Sequence, residues 1–112
     1  MKRGEVWRVD LPAARGHVQA GKRPAVILQE DQATASLPTV LIVPFTGSQA
    51  SLRFPGTLAV QPDGQNGLTV PSVALVFQLA ALDRSNCLQR LGVLDPTILD
   101  QIFAELDRLT GR

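Results

Sequence analysis

The sequence predicts a mainly β fold of the α+β type, in which a small barrel or strongly curved antiparallel sheet is completed by one C-terminal helix. Short apolar runs recur along the chain and are separated by turn-forming segments, and the chain holds 9 glycines and 8 prolines. Apolar residues at helical spacing occur together only at the C-terminal end. This order favours antiparallel strands over parallel units, in which strands would alternate with helices.

The composition limits the functions to consider. A chain of 112 residues corresponds to one domain, residues 1–112. Its single cysteine, Cys87, excludes an intrachain disulfide, and one cysteine with one histidine cannot form a usual zinc site, so we expect no metal and no cofactor. No apolar run reaches transmembrane length, and no leader peptide is visible, so we expect a cytoplasmic protein without a membrane association.

The first strand is predicted at residues 5–11. Alternate positions there carry Trp7, Val9 and Leu11, as expected for a half-buried strand. Trp7 is the only tryptophan and is best explained as a core anchor, with stacking on a nucleic acid as the alternative.

A long polar connection follows at residues 12–22, and loops of this length are often functional. It contains His17, the only side chain here with an ordinary pKa near neutrality. His17 is therefore a candidate acid–base or phosphate-contacting group, and a surface histidine without a role is the alternative. Gly16 and Gly21 give the backbone of this loop conformational freedom.

The next two predicted strands place an arginine and a threonine at one edge of the sheet. Arg23 and Pro24 open an apolar run that should form a central strand, a polar turn covers residues 29–38, and a third strand spans residues 39–45, just before Thr46. If these strands pair antiparallel, Arg23 and Thr46 face one site. A guanidinium beside a hydroxyl suits a phosphate group; alternatively, Arg23 pairs with a carboxylate and Thr46 only ends a strand.

Further strands are predicted at residues 57–60, 68–70, 72–79 and 88–94, with a turn at residues 62–67. Gln78 interrupts an apolar run and needs hydrogen-bond partners if it is buried. Asp95 is a suitable N-cap and Pro96 a suitable first residue for the final helix. The helix carries a core-facing apolar stripe: Ile98, Leu99, Ile102, Phe103, Leu106 and Leu109.

Basic residues are concentrated near the N-terminus although the net charge is only +1. A patch of this kind can contact phosphates, and an ordinary solvated face is the alternative. Its members are Lys2, Arg3, Arg8, Arg15, Lys22 and Arg23.

Three segments of the chain resemble a known family. They are the start of the first strand (residues 2–7, KRGEVW), the loop with the second strand (residues 16–28, GHVQAGKRPAVIL) and the end of the third strand (residues 43–46, VPFT). Together they are similar to the MazF/PemK toxins of bacterial toxin–antitoxin modules. The resemblance implies an SH3-like barrel with added helices that assembles as a homodimer. It also implies a metal-independent endoribonuclease, an mRNA interferase, that cuts single-stranded RNA and is neutralised by a cognate MazE-type antitoxin.

The resemblance also implies roles for individual residues. Arg23 and Thr46 match the two residues that the family uses at the scissile phosphate, and His17 matches a histidine of the PemK branch. Val18 and Phe77 depart from the family by replacing acidic residues, which favours a site built on Arg23 and Thr46. The residues expected to bind RNA are Gln19, Gly21, Lys22, Arg53 and Gln78.

The implied reaction is attack of the neighbouring 2′-hydroxyl on the phosphodiester. Because arginine remains protonated in proteins, His17 is a better candidate than Arg23 for the general base. Two other functions fit the same fold: a non-catalytic barrel that binds RNA or protein, and a gyrase-inhibiting toxin.

Overall fold

The fold is described from a computed structural model that covers residues 1–12, 16 and 19–112. The described residues form a seven-stranded, open and wholly antiparallel sheet with two α-helices. The strands are β1 (Glu5–Leu11), β2 (Gly21–Ile27), β3 (Thr39–Thr46), β4 (Thr57–Val60), β5 (Ser72–Leu75), β6 (Ala80–Asp83) and β7 (Cys87–Val93), and the helices are α1 (Asp31–Ser36) and α2 (Pro96–Leu109). The predicted mainly β class with a C-terminal helix is confirmed, and the open sheet is close to the barrel that was expected.

The order of strands across the sheet is β4-β5-β3-β2-β1-β7. Strand β3 is shared, because β6 pairs with its first half, from Thr39 to Ile42, and β5 pairs with its end, at Phe45 and Thr46. As predicted, β2 is central and lies between β1 and β3. The end of β3 is thereby held between two neighbours, β2 and β5.

Both faces of the sheet are covered, which explains why the run in β2 is apolar at consecutive positions. One core cluster packs under α2 and includes Val26, Val43 and Ile102. The other includes Ala25 and Ile27, with Trp7 half-buried at its margin. Trp7 therefore packs against the core, as predicted, although it is not fully enclosed.

The start of β1 is fixed by Glu5. Its carboxylate accepts hydrogen bonds from the Lys2 backbone N–H (2.9 Å) and the Trp7 indole (3.1 Å), and it pairs with Arg90 of β7 (2.9 Å). Burial is the largest single influence and raises the pKa of Glu5, but these bonds together outweigh it and leave the pKa below its ordinary value.

Helix α2 begins and ends as predicted. The Asp95 carboxylate accepts the Thr97 N–H at 2.8 Å, Pro96 is the first helical residue, and Gly111 follows the end with φ of 79°.

Three predicted segments differ from the structure. The polar segment at residues 29–38 contains the short helix α1, which Glu30 caps through the N–H groups of Gln32 and Ala33. The predicted strand at residues 68–70 is irregular, and the run at residues 72–79 ends as a strand at Leu75 and continues as a 3-10 turn, Val76–Gln78. The helix within residues 29–38 arises from a side-chain cap, and the end of the strand at Leu75 arises from a local turn. Apolar patterning encodes neither feature.

Candidate functional site

Arg23 and Thr46 lie at the same edge of the sheet. Strands β2 and β3 pair antiparallel with Ala25 opposite Pro44, so continuing that register by two residues brings Arg23 opposite Thr46. Both residues line one cavity of about 220 Å³, referred to below as the cationic cavity. The antiparallel pairing on which the sequence argument depended is therefore present.

The guanidinium of Arg23 is oriented by the backbone. Its Nε donates to the carbonyl oxygen of Ala20 at 3.0 Å, and the side chain is half-buried. Within the described ranges, Arg23 forms no salt bridge with a carboxylate. The described residues therefore do not show the alternative arrangement, in which Arg23 forms a structural ion pair with a carboxylate.

Thr46 presents a hydroxyl with limited freedom. The residue is only 7% exposed, and its Oγ1 accepts the Ser48 N–H at 3.2 Å. That bond uses the oxygen as an acceptor, so the hydroxyl hydrogen can still be donated to a ligand. Arg23, with its oriented guanidinium, and Thr46, with its hydroxyl donor, thus line the same cavity.

Two further cations line the cationic cavity, and none of the described carboxylates does. Lys22 was predicted as an RNA-binding residue, whereas Arg8 was noted only as part of the N-terminal basic patch. Arg8 reaches the site because β1 pairs with β2, with Val9 opposite Arg23 and Arg8 opposite Pro24. No pattern within β1 itself predicts this placement, because it depends on the pairing with β2.

The basic patch predicted near the N-terminus is divided in the structure. Arg8, Lys22 and Arg23 come together, but Arg3 lies elsewhere, with its guanidinium 4.7 Å from the ring centroid of Phe103 on α2. Arg15 is outside the described residues.

The opposite wall of the cationic cavity is formed by the irregular segment at residues 67–70 together with Ser72. Asn66, 1% exposed, holds this segment by donating to the Gln61 carbonyl (2.9 Å) and accepting the Leu68 N–H (3.0 Å). Gly67 has φ of 72°, and a Cβ there would lie 2.4 Å from the Leu91 carbonyl oxygen of β7. Backbone therefore touches backbone at this point, and a strand at residues 68–70 is replaced by a fixed loop.

Three of the other predicted RNA-binding residues, Gln19, Arg53 and Gln78, line a second cavity of about 370 Å³. The backbone N–H of Gln19 donates to Oε1 of Gln78 at 2.8 Å, which supplies the partner that Gln78 was expected to need. Arg53 lines the same cavity. Gly21 lies between the two cavities along the chain, at the start of β2, with φ of 83°.

Two sequence predictions concern residues that the structure does not describe. His17, the candidate base, and Val18, one of the two departures from the family, both lie outside the described residues. The other departure, Phe77, is described and is 39% exposed.

A further cavity, about 430 Å³, lies beside the start of α2 and is lined by Asp63 and Asp95 among others. Its carboxylates would repel a phosphate, so it is the wrong site for an anion. In the described part of the chain, no three His, Cys, Asp or Glu side chains are grouped as a metal site would require. No described helix is long and apolar enough to cross a membrane.

Comparisons with known proteins agree on one family. A family described as PemK-like, MazF-like toxin of type II toxin–antitoxin system matches residues 2–110. The chain is 29% identical over 111 residues to the endoribonuclease MazF of Staphylococcus saprophyticus, covering 99% of this chain and 92% of that protein.

Solved structures share the fold. The chain is similar to crystalline MazF (Form-I) of Deinococcus radiodurans, with a TM-score of 0.84 and 23% identity over 100% of this chain and 97% of that one. It is also similar to an endoribonuclease from a mycobacterial species, solved in complex with its cognate antitoxin, with a TM-score of 0.79 and 22% identity over 99% and 95% of the two chains.

Proposed function

This chain belongs to the PemK-like, MazF-like toxin family of type II toxin–antitoxin systems, and from that premise we propose that it is an endoribonuclease. Its substrate is single-stranded RNA, chiefly mRNA, which it cuts at short sequences without a metal ion. Cutting mRNA stops translation and growth, and a cognate MazE-type antitoxin neutralises the activity.

The observation that supports this proposal most strongly is the composition of the cationic cavity. Three basic residues, Arg8, Lys22 and Arg23, line the same cavity as Thr46, and no Asp or Glu of the described ranges lines it. A phosphodiester chain carries one negative charge at each step, so such a cavity attracts it along the backbone. A cavity with three basic residues suits this polyanion better than a neutral ligand.

The proposed reaction uses the RNA's own 2′-hydroxyl. The 2′-oxygen forms a bond to phosphorus, the bond from phosphorus to the 5′-oxygen breaks, and the products are a 2′,3′-cyclic phosphate and a 5′-hydroxyl. One proton leaves the 2′-hydroxyl and one reaches the 5′-oxygen. His17 is the candidate for the first of these transfers, since its ordinary pKa lies near neutrality.

The described residues contribute charge stabilisation to this reaction. Negative charge builds up on the phosphate oxygens during the attack, and preorganised donors stabilise that charge best. The Ala20 carbonyl fixes Nε of Arg23, so the terminal amino groups of the fork are available for two phosphate oxygens. The Thr46 hydroxyl supplies a further donor at the same edge.

The same cavity accounts for the proposed partners. A cognate antitoxin with an acidic segment would compete with RNA for the three cations, and the mycobacterial endoribonuclease similar to this chain was solved with its cognate antitoxin. We further propose a homodimer that acts in the cytoplasm, where mRNA is translated.

The direct test compares Arg23→Ala with Arg108→Ala in cleavage of single-stranded RNA. Arg108 lies on α2, is exposed and pairs with Glu105, so it is a matched arginine away from the cavity. We expect Arg23→Ala to lose about 100-fold or more of the cleavage rate, as is common when one donor to developing charge is removed. Arg108→Ala should cut at the wild-type rate. Wild-type cleavage by folded Arg23→Ala would remove Arg23 from the site.

Metal independence is tested with a chelator. RNA cleavage by the wild-type chain should be unchanged in excess EDTA, because the proposed chemistry uses only protein donors and the RNA hydroxyl. Loss of cleavage in EDTA that is restored by added magnesium would contradict the mechanism.

A further inference from the structure

The second cavity carries an exposed aromatic pair that the reaction does not use. Phe54 and Phe77 are 37% and 39% exposed, and their ring centroids are 5.7 Å apart with an interplanar angle of 59°. Phe77 stands on the 3-10 turn that interrupts the predicted strand, and its backbone N–H donates to the Gly56 carbonyl at 3.2 Å. The backbone thus holds a large apolar ring at the surface instead of in the core.

The aromatic pair is accompanied by a cation. The guanidinium carbon of Arg53 lies 4.8 Å from the ring centroid of Phe54. Arg53, Phe54 and Phe77 line the same cavity of about 370 Å³, a volume within the range of small-ligand sites. An exposed aromatic ring with an adjacent arginine is the combination on which unpaired nucleobases stack.

Gln19 lines the same cavity. Its backbone N–H already donates to Oε1 of Gln78 at 2.8 Å, so a contact with a ligand would come from the side-chain amide, which can both donate and accept. The Watson–Crick edge of a nucleobase carries hydrogen-bonding groups of both kinds, whereas an aliphatic side chain has none.

The two cavities lie along one short stretch of chain. Gln19 lines the second cavity, the carbonyl of the next residue, Ala20, holds Arg23, and Arg23 lines the cationic cavity. The four residue steps from Gln19 to Arg23 span at most about 14 Å of extended chain. One RNA strand can therefore reach both cavities.

We propose that the second cavity binds one unpaired base of the RNA strand whose phosphodiester lies in the cationic cavity. The base stacks on the ring of Phe77, beside the tilted ring of Phe54, and its Watson–Crick edge hydrogen-bonds the side-chain amide of Gln19. This inference rests on the proposed function, since it assumes the RNA substrate. It assigns a base-binding role to Phe77, a position at which the resemblance implied an acidic residue.

The experiment measures binding of an uncleavable 2′-O-methyl copy of a short RNA that the wild-type chain cuts. A second series of the same oligonucleotide carries an abasic residue at each position in turn. The proteins are wild type, Phe77→Ala, Phe54→Ala and the control Leu88→Ala. Leu88 is 46% exposed and lines neither cavity, so its truncation removes a comparable exposed apolar side chain.

We expect Phe77→Ala and Phe54→Ala to bind the intact oligonucleotide about 5- to 150-fold more weakly, the range for loss of one stacked base. Leu88→Ala should bind as wild type. One abasic position should weaken wild-type binding by a similar factor, and at that position Phe77→Ala should lose little more. Thermal unfolding of each variant confirms that the fold is retained.

Two results would overturn the proposal. Wild-type RNA binding by both phenylalanine variants would exclude stacking. An equal loss for every abasic oligonucleotide would indicate a general effect on the RNA strand instead of the loss of one bound base. If the wild-type chain cuts RNA, either of these results refutes only the base site; if it neither cuts nor binds RNA, the proposed function fails as well.

Discussion

Arg8 provides the most quantitative test of the cationic cavity. The side chain is exposed on β1, lines the cavity with Lys22 and Arg23, and forms no salt bridge within the described ranges. Replacing it in Arg8→Gln removes one charge and keeps a side chain of similar length and polarity. The substitution should therefore change RNA binding without changing the fold.

The magnitude follows from counter-ion release. For single strands, log K falls with log salt with a slope of about −0.7 per neutralised phosphate. Three cations in the cavity contribute a slope of about −2.1, which is about an 18-fold loss of affinity between about 50 and 200 mM salt. Arg8→Gln should leave a slope of about −1.4 from this cavity and about a 7-fold loss over the same interval. Any contribution from Arg53 is the same in both proteins and cancels in the comparison.

The assay is fluorescence anisotropy of a labelled 2′-O-methyl oligonucleotide, titrated at several salt concentrations. The matched control is Arg108→Gln, which removes an exposed arginine from α2 and changes the net charge equally. The control should keep the wild-type slope. An unchanged slope in Arg8→Gln, or the same change in both variants, would refute the assignment of Arg8 to the phosphate site.

Two predictions concern stability. Asn66→Ala leaves the Gln61 carbonyl and the Leu68 N–H without their partner, so the free energy of unfolding in a urea titration should fall by about 2–4 kcal/mol. The control Gln65→Ala truncates an exposed neighbour and should change the free energy of unfolding little. Equal effects of the two substitutions would contradict the role given to Asn66. Because the pKa of Glu5 is held below its ordinary 4.5, its contribution is complete above that value and is lost as the pH falls through the lowered pKa. On acidification, the wild-type chain should consequently lose more free energy of unfolding than Glu5→Gln. If stability depends on pH identically in the two proteins, Glu5 does not make this contribution.

Much of the sheet and of the candidate site could be predicted from local sequence patterns. The start of β2 at the glycine-flanked loop and the end of β3 at Thr46 were visible as apolar runs, and antiparallel pairing then brought Arg23 and Thr46 together. The final helix was visible for a similar reason, since its cap, first proline and apolar stripe are all local signals.

The remaining features depend on contacts between distant residues. Residues 68–70 have the composition of a strand, but the buried Asn66 side chain takes the Leu68 N–H that a strand would have used for pairing. Arg8 joins the cavity through the pairing of β1 with β2, which no pattern within β1 predicts. The run at residues 72–79 gave no local sign of the turn that exposes Phe77.

The position of Trp7 gives this protein a built-in optical reporter. As the sole indole in the chain, half-buried against the core cluster on one side of β1, it will dominate ultraviolet emission without any label. Emission at this position should therefore follow denaturation of the whole sheet, which gives a label-free readout of unfolding for every variant that keeps Trp7.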